Sequence, residues 1–378
     1  MKEIYLDNSA TTAVCKEAAE KALEIMTEKY GNPSSLHSKG LEAQHELETA
    51  RQITADFLSA DKSEIFFTSG GTEGNNTAIF GTAQALKRRG NRIVTTAFEH
   101  SSVIEAMQKL QKDGFEVVFI EPERNGKISR EKIINSITKD TILVSIMAVN
   151  NEIGTIQPIE CVHRAIEKSG SPALFHVDAV QAFGKIPLKP KKLGIDIMTA
   201  SSHKIHGVKG AGILYLRKGA RIIPLHYGGE QEKKIRPGTE PLPAICGMAA
   251  AIKALPDMNE EKGQMRELWS YCCEQLLTID NVVINSPDDC LPYIINFSVK
   301  GIRSETMLHF LASKNIYVSS GSACAKGKKS HVLVSLGLEP ELTDSAIRAS
   351  FSRYNTKDDI DELVSAIKIA NDTLARAK

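Results

Sequence analysis

The sequence lacks any pair of cysteines at a spacing typical of metal sites or disulfide frameworks. Its seven cysteines are odd in number and scattered through 378 residues, and no CxxC pair occurs. Cys272 and Cys273 are adjacent in a predicted helix, which is a poor arrangement for chelating one ion. This number and spacing of cysteines is typical of a protein in a reducing cytoplasm, whose cysteines do not form a disulfide framework. We also expect no built-in zinc or iron–sulfur site.

An excess of charge of one sign is also absent, as are long apolar runs. Lys and Arg number 47 against 46 Asp and Glu, so the net charge of +1 does not favour binding to nucleic acid. The longest apolar runs, such as residues 142–149, are too short to span a bilayer. The N-terminus has no basic region followed by an apolar run, so we expect no signal peptide, a cytoplasmic location and no membrane partner.

What is present is a long alternation of predicted strands and helices. Near-continuous apolar strands separated by helices predict an α/β fold with a mostly parallel sheet that is covered on both faces. The predicted strands are 65–68, 92–97, 115–120, 141–149, 173–180, 195–200 and 213–216, and the helices include 41–58, 102–112 and 160–168.

The pattern changes after about residue 255. The predicted elements there are a charged helix at 260–277, a strand at 293–299, a helix at 305–314, a strand at 316–319 and a helix at 357–375. The length of the chain also fits a large domain plus a smaller one. We therefore predict a large α/β domain at 15–255 and a small α+β domain made of 1–14 and 256–378.

Asp178 and Lys204 each lie at the end of a predicted strand. In open α/β sheets, functional groups collect beyond the carboxyl ends of the strands. Pyridoxal phosphate needs a lysine amine for its Schiff base and a carboxylate to keep its pyridine nitrogen protonated, so this pair indicates that cofactor. Taken alone, Asp178 is better explained as a cap of the following turn.

A strand, a glycine-rich turn and a helix start follow one another at residues 67–74. Backbone N–H groups and a partial positive charge of about half a unit at the helix N-terminus would hold a phosphate dianion. The candidate phosphate ligands are Gly70, Gly71, Thr72, Ser201 and His203. Taken alone, the glycines are better explained as a tight turn without a ligand.

Three more polar residues follow predicted strands. His100 could stack on the cofactor ring and move protons, or it could only flank a helix. Asn151 and Gln181 could hydrogen-bond the phenolic oxygen of the ring, or could serve as turn residues. The residues alone leave these alternatives open.

Cys324 and Arg348 lie in the predicted small domain. Cys324 follows the small residues 319–323 and precedes three lysines, and nearby cations lower the pKa of a thiol. An ordinary loop cysteine beside a solvated basic run explains the same pattern equally well. Arg348 stands in an otherwise apolar stretch, where it would bind a substrate carboxylate or form a structural salt bridge.

Seven motifs, taken together and in this order, resemble those of the cysteine desulfurases of the class-V aminotransferase group. They are Tyr-Leu-Asp-Asn-Ser-Ala-Thr-Thr at 5–12, Thr-Ser-Gly-Gly-Thr-Glu at 68–73, Val-Asn-Asn-Glu-Ile-Gly at 149–154, His-Val-Asp at 176–178, Ser-Ser-His-Lys at 201–204, Gly-Thr at 238–239 and Ser-Ser-Gly-Ser-Ala-Cys at 319–324. The resemblance covers essentially the whole chain. It implies the fold type I of pyridoxal-phosphate-dependent transferases, with the cofactor in the large domain and the catalytic cysteine loop in the small one.

The resemblance implies a role for each candidate residue. Lys204 would bind the cofactor covalently, Asp178 would pair with its pyridine nitrogen, and His100 would stack on its ring. The phosphate ligands would be Gly71, Thr72, Ser201, Ser202, His203 and, from the other subunit of a homodimer, Thr239, while Asn151 and Gln181 would contact the ring oxygen. Arg348, with Asn151, would hold the substrate L-cysteine, and Cys324 would take its sulfur as a persulfide and release L-alanine.

The sulfur would then pass to an acceptor protein, either an iron–sulfur scaffold or a tRNA-thiolation enzyme. The Ser-Gly-Ser-Ala-Cys loop resembles the iron–sulfur-assembly branch, but the segment 325–330 is lysine-rich and shorter than in the commonest members, which leaves the acceptor open. Ser202 stands where glycine is expected and Gly74 where serine is expected, without consequence for the chemistry. A selenocysteine lyase, an aminotransferase and a non-catalytic interaction protein are the alternatives.

Overall fold

The structure, a computed structural model, describes residues 2–320 and 330–374. The strands are β1 (Ile4–Tyr5), β2 (Ile65–Thr68), β3 (Arg92–Thr96), β4 (Glu116–Ile120), β5 (Thr141–Met147), β6 (Leu174–Asp178), β7 (Ile197–Ser201), β8 (Gly212–Leu216), β9 (Val282–Ile284), β10 (Ile294–Val299), β11 (Ile316–Tyr317) and β12 (Ala346–Ser350). The helices are α1 (Lys16–Thr27), α2 (Ser38–Leu58), α3 (Gly71–Leu86), α4 (Ser101–Lys112), α5 (Arg130–Ser136), α6 (Val162–Ser169), α7 (Pro190–Leu193), α8 (Leu242–Lys253), α9 (Met258–Leu276), α10 (Ser304–Ser313), α11 (His331–Ser335), α12 (Pro340–Asp344) and α13 (Lys357–Thr373).

Seven strands form the central sheet in the order β2-β8-β7-β6-β5-β3-β4. Each neighbouring pair from β7 to β4 is parallel, whereas β8 runs antiparallel to both of its neighbours. All residues of β5 and β6 are buried, as expected for strands covered by helices on both faces of a sheet. The predicted α/β fold with a mostly parallel sheet is confirmed.

The C-terminal part contains a smaller antiparallel sheet in the order β12-β10-β9. Helix α13 packs against α9 and α10 beside this sheet. The N-terminal strand β1 pairs in parallel with β11, and Asp7 forms a bridge with Ser350, so the first residues of the chain pair with the C-terminal part. The domain boundaries near residues 14 and 255 stay predictions.

One hydrophobic core joins the two parts, since it includes Val177 of β6 and Phe297 of β10. Helix α8 is a 12-residue apolar element that packs against both α1 and α2. Across the described ranges, none of the helices is both long and apolar enough to cross a membrane.

Candidate active site

The carboxyl ends of the parallel strands meet at one edge of the central sheet, and the predicted site residues follow these ends. Asp178 is the last residue of β6, and Ser201 is the last residue of β7. Lys204 ends a short 3-10 turn directly after β7, and His100 lies between β3 and α4. The fold therefore brings residues that are far apart in sequence to one edge.

Asp178 is held by a buried polar network. Its Oδ2 accepts a hydrogen bond from Nδ2 of Asn75 at 2.7 Å, and its Oδ1 accepts one from the backbone N–H of Val180 at 3.0 Å. Asn75 also donates to Oγ of Ser102 at 2.9 Å and accepts a hydrogen bond from the hydroxyl of Thr199. These contacts fix the direction of the carboxylate, and Asn75 was not among the predicted residues.

His100 caps the N-terminus of α4. Its Nδ1 accepts a hydrogen bond from the backbone N–H of Ser102 at 3.1 Å and lies 2.8 Å from the hydroxyl of that residue. Because Nδ1 is an acceptor, we assign the proton of the neutral ring to Nε2. Burial lowers the pKa of His100, with Lys204 acting in the same direction and Asp178 opposing it, so the ring is neutral at pH 7.

Lys204 lies half-buried at the centre of the site. Its Nζ donates to the carbonyl oxygens of Ser9 and Ala10, the latter at 2.8 Å. Burial, followed by the charges of Arg348 and Lys185, lowers the pKa of Lys204 to about 7. Since the neutral amine is the form that attacks a carbonyl, this lysine is suited to covalent attachment of an aldehyde near neutral pH.

The N-terminal motif holds the Lys204 turn in place. The backbone N–H and the hydroxyl of Thr12 both donate to the carbonyl of His203, at 3.0 and 3.1 Å. The backbone N–H of His206 donates back to Oγ1 of Thr12 at 2.9 Å. Burial lowers the pKa of His203 to about 4, so its ring is neutral at pH 7. Residues 9–12 thus have a structural role that the sequence did not indicate.

The glycine-rich turn lies against the ends of β6 and β7. A Cβ atom on Gly71 would lie 2.6 Å from Cγ2 of Val180, and one on Gly70 would lie 3.6 Å from Oγ of Ser201. Gly71 begins α3, so the first N–H groups of this helix lack partners within it. The side chain of Ser201 faces this turn, whereas the buried hydroxyl of Ser202 lies against Gly207. The free N–H groups of α3 and the Ser201 hydroxyl fit a phosphate group.

The neighbours of Gly74 and Ser202 account for both departures from the family pattern. A Cβ atom on Gly74 would lie 2.9 Å from Cγ2 of Thr199, so a serine there would require Thr199 to move. A Cβ atom on Gly207 would lie 2.2 Å from Oγ of Ser202, so this hydroxyl occupies space that the glycine leaves open.

Arg348 lies in the middle of β12 with 2% of its surface exposed. Its Nη2 donates to Oδ1 of Asp7 at 2.8 Å, and its Nη1 donates to the carbonyl oxygen of Asn151 at 2.9 Å. The structural salt bridge considered for this arginine is therefore present. A substrate carboxylate would join or displace Asp7, and that role of Arg348 stays a prediction.

Gln181 and Thr239 differ in their surroundings. Gln181 is buried, and its Nε2 donates to the carbonyl oxygen of Ser9 at 3.0 Å, beside Lys204. Thr239 is exposed. Its segment is tied to the glycine-rich turn by an ion pair between Nε of Arg236 and Oε1 of Glu73 at 3.0 Å, because Glu73 lies in the first turn of α3.

Cys324 lies outside the described residues, but residues on both sides of its segment contact the site. Ser319 pairs with Arg348 through two backbone hydrogen bonds of 3.0 and 2.6 Å. Ser330 donates to Oε2 of Glu152 at 2.5 Å. Nε2 of His331 lies 2.9 Å from the carbonyl oxygen of Glu99, the residue before His100.

The six cysteines within the described ranges are free thiols with poor thiolate character. They are Cys15, Cys161, Cys246, Cys272, Cys273 and Cys290. Burial raises the pKa of each, to about 12 for Cys246, Cys273 and Cys290. In the same ranges, possible metal ligands do not form a group of three or more.

A comparison with protein families matches the aminotransferase class-V model to residues 4–363. The chain therefore belongs to the class-V aminotransferase family, and the cysteine desulfurases of this family depend on pyridoxal phosphate.

Individual relatives show which group of the class-V family the chain resembles. The cysteine desulfurase IscS of Methanosarcina thermophila is 41% identical over 370 residues, which cover 97% of this chain and 91% of the relative. A solved NifS-like protein superposes with a TM-score of 0.93 and 39% identity over 99% of this chain and 100% of its own. A structure of SspA in complex with cysteine gives a TM-score of 0.82 and 32% identity, over 93% and 100% of the two chains. Within the class-V family the chain belongs to the cysteine desulfurases, as its motifs predict.

Proposed function

We propose that the protein converts L-cysteine to L-alanine and takes the sulfur as a persulfide on Cys324, with pyridoxal phosphate bound covalently to Lys204. The observation that carries this proposal is the meeting of Lys204, Asp178 and His100 at one sheet edge. There the amine has a pKa of about 7 and the carboxylate is fixed by Asn75.

In this proposal each part of pyridoxal phosphate would have its own ligands. Lys204 would hold its aldehyde carbon, Asp178 its pyridine nitrogen and His100 its ring face. The phosphate ligands would be Gly71, Thr72, Ser201, Ser202 and His203, and the ring-oxygen ligands Asn151 and Gln181. When bound, the cofactor draws electrons from the substrate carbon that carries the amino group, which is chemistry that no side chain supplies.

The chain itself would bind the substrate and move its protons. Arg348 would bind the carboxylate of cysteine. Lys204 as the neutral amine would take the proton from Cα, and His100, with its proton on Nε2, would serve proton transfer near the sulfur. The Cys324 thiolate would attack that sulfur, so an S–S bond forms and the C–S bond breaks. The carbon keeps the electron pair and takes up a proton, so cysteine and a thiol become alanine and a persulfide.

Two observations support Cys324 as the sulfur acceptor. The six described cysteines all have raised pKa values, whereas three lysines follow Cys324 in sequence and favour its thiolate. The flanking residues Ser319 and His331 contact Arg348 and the residue before His100.

Addition of L-cysteine to the purified enzyme tests this function. In the first turnover we expect equal amounts of alanine and protein-bound persulfide. An aminotransferase would instead release an oxo acid without alanine, and a selenocysteine lyase would act on selenocysteine but leave cysteine unchanged. Either result would contradict the proposal.

Replacement of Arg348 by alanine should mainly weaken cysteine binding. A charge-assisted pair with a carboxylate contributes about 1.5–3 kcal/mol, which corresponds to a rise in KM of about one to two orders of magnitude. Because the change also leaves Asp7 without its partner, Arg348→Lys serves as the matched variant that keeps the charge. Steady-state kinetics of both variants check the prediction, with thermal unfolding as the control. An unchanged KM would make Arg348 purely structural.

We also propose a homodimer in which Thr239 reaches the cofactor phosphate of the partner. Its exposure and the Arg236–Glu73 ion pair nearby, which ties its segment to the glycine-rich turn, support this. Sedimentation should show a dimer at working concentration, and Thr239→Ala should weaken cofactor retention. A monomer with full activity would contradict the shared site.

The remaining expectations are a cytoplasmic location and an acceptor protein, either an iron–sulfur scaffold or a tRNA-thiolation enzyme. The free state of the six described cysteines supports a reducing compartment. The lysines between 326 and 329 support an acidic docking surface on the acceptor.

A further inference from the structure

A second lysine shares a small cavity with Lys204. The cavity has a volume of about 20 Å³, and its lining includes Lys204, Lys185, Glu261 and Tyr293. Such a volume holds about one water molecule. The residue roles proposed above do not use Lys185.

Lys185 has few partners for a half-buried ammonium group. Its Nζ lies 3.5 Å from Oε1 of Gln181, at the limit of hydrogen-bond distance, and 5.3 Å from the ring centre of Tyr293. Within 2–320 and 330–374 it forms no ion pair. Burial lowers the pKa of Lys185 to about 8, and the charge of Glu261 opposes this effect. An ammonium offers only donors, so the group facing it must be an acceptor.

The amide of Gln181 is held at both ends. Its oxygen faces Lys185, while its Nε2 donates to the carbonyl oxygen of Ser9 at 3.0 Å. Nζ of Lys204 donates to that same carbonyl. Because an amide nitrogen carries two N–H groups, one N–H of Gln181 remains for a ligand beside Lys204.

We infer that Lys185 is a positioning residue for Gln181, which it orients so that the amide nitrogen faces the Ser9 carbonyl and the ring oxygen of bound pyridoxal phosphate. The inference rests on the proposed function, since the cofactor supplies that ring oxygen. A hydrogen bond donated to this oxygen stabilises its ionised form. If Lys185 is lost, only the Ser9 carbonyl still holds the amide, its hydrogen bond to the ring oxygen should weaken, and the bound cofactor should ionise at a higher pH.

Several charged groups face the two lysines and also affect the pH at which the bound cofactor ionises. The groups near Lys204 are Arg348, Asp7, Asp178 and His100, and those near Lys185 are Glu261, His206 and Arg353. Loss of the positive charge of Lys185 would by itself also raise the pH at which the bound cofactor ionises. A test must therefore separate action through Gln181 from action through space.

Titration of the visible absorbance of the purified holoenzyme provides the first readout. For Lys185→Met we expect the midpoint to rise by about half a unit to one unit relative to wild type. Lys185→Arg keeps donors and charge and should titrate like wild type. Lys192→Met removes an exposed lysine from α7 and should also leave the midpoint unchanged.

The double variant Gln181→Ala/Lys185→Met separates the two routes. If Lys185 acts through Gln181, the double variant should titrate like the single variant Gln181→Ala. The inference is overturned if Lys185→Met titrates like wild type. It is also overturned if Lys185→Met raises the midpoint as much in the Gln181→Ala background as it does in the wild type. Should Lys185→Met fail to fold, Lys185→Gln keeps a donor and must titrate closer to wild type than Gln181→Ala does. A colourless wild-type protein would instead refute the proposed function itself.

Discussion

Replacement of Cys324 by serine or alanine should abolish the release of alanine from L-cysteine while the cofactor stays bound. We expect Lys204, Asp178 and Arg348 to bind and activate the substrate without Cys324, whereas only a thiolate is a strong enough nucleophile toward sulfur. We expect turnover to fall by at least about three orders of magnitude. The colour change on addition of cysteine should persist, and persulfide should be absent.

Cys161→Ala is the matched control for this variant. Cys161 is half-buried, and burial raises the pKa of its thiol, so its removal should leave turnover near the wild-type value. If the Cys324 variant formed alanine at the normal rate, the protein would be a general pyridoxal lyase in which this loop carries no sulfur.

Replacement of Lys204 by alanine should remove both turnover and the covalent attachment of the cofactor. In the proposed function the neutral amine would be both the nucleophile for this attachment and the base within the site, so turnover should fall by at least about three orders of magnitude. In the wild type, borohydride should fix the cofactor on Lys204, and peptide mapping should locate it there. The exposed Lys209 gives the control, because Lys209→Ala should keep the label.

Lys185 makes this mapping a strict test. It lines the same cavity as Lys204, and it is the other described lysine whose pKa is lowered, in its case to about 8. A label found on Lys185 in the wild-type enzyme would overturn the assignment of Lys204.

The central sheet could be predicted from sequence because its strands are near-continuous apolar runs. The predicted strand 65–68 coincides with β2, and 92–97 and 141–149 each extend slightly beyond β3 and β5. The site residues at strand ends could be proposed for the same reason. Helix α8 was not predicted because it is apolar on nearly all sides. It is buried between α1 and α2, so its sequence lacks the apolar periodicity of a surface helix.

The supporting contacts of the site could not be predicted, because they join residues far apart in sequence. Asn75 lies 103 positions from Asp178, which it holds, and Asp7 lies 341 positions from its partner Arg348. The carbonyl groups that bind Lys204 belong to Ser9 and Ala10, and a backbone role of the motif 5–12 could not be predicted from its side chains. Such contacts arise from the tertiary fold, so the sequence suggested the reactive groups but not the residues that position them.

The proposed function is tested most directly by locating the sulfur after a single turnover. The enzyme is mixed with an equimolar amount of L-cysteine, persulfides are trapped by alkylation, and the peptides are analysed by mass spectrometry. We expect one added sulfur atom on the peptide that contains Cys324, with alanine formed in equal amount. Sulfur on one of the six other cysteines, or alanine formed without any protein-bound sulfur, would contradict it.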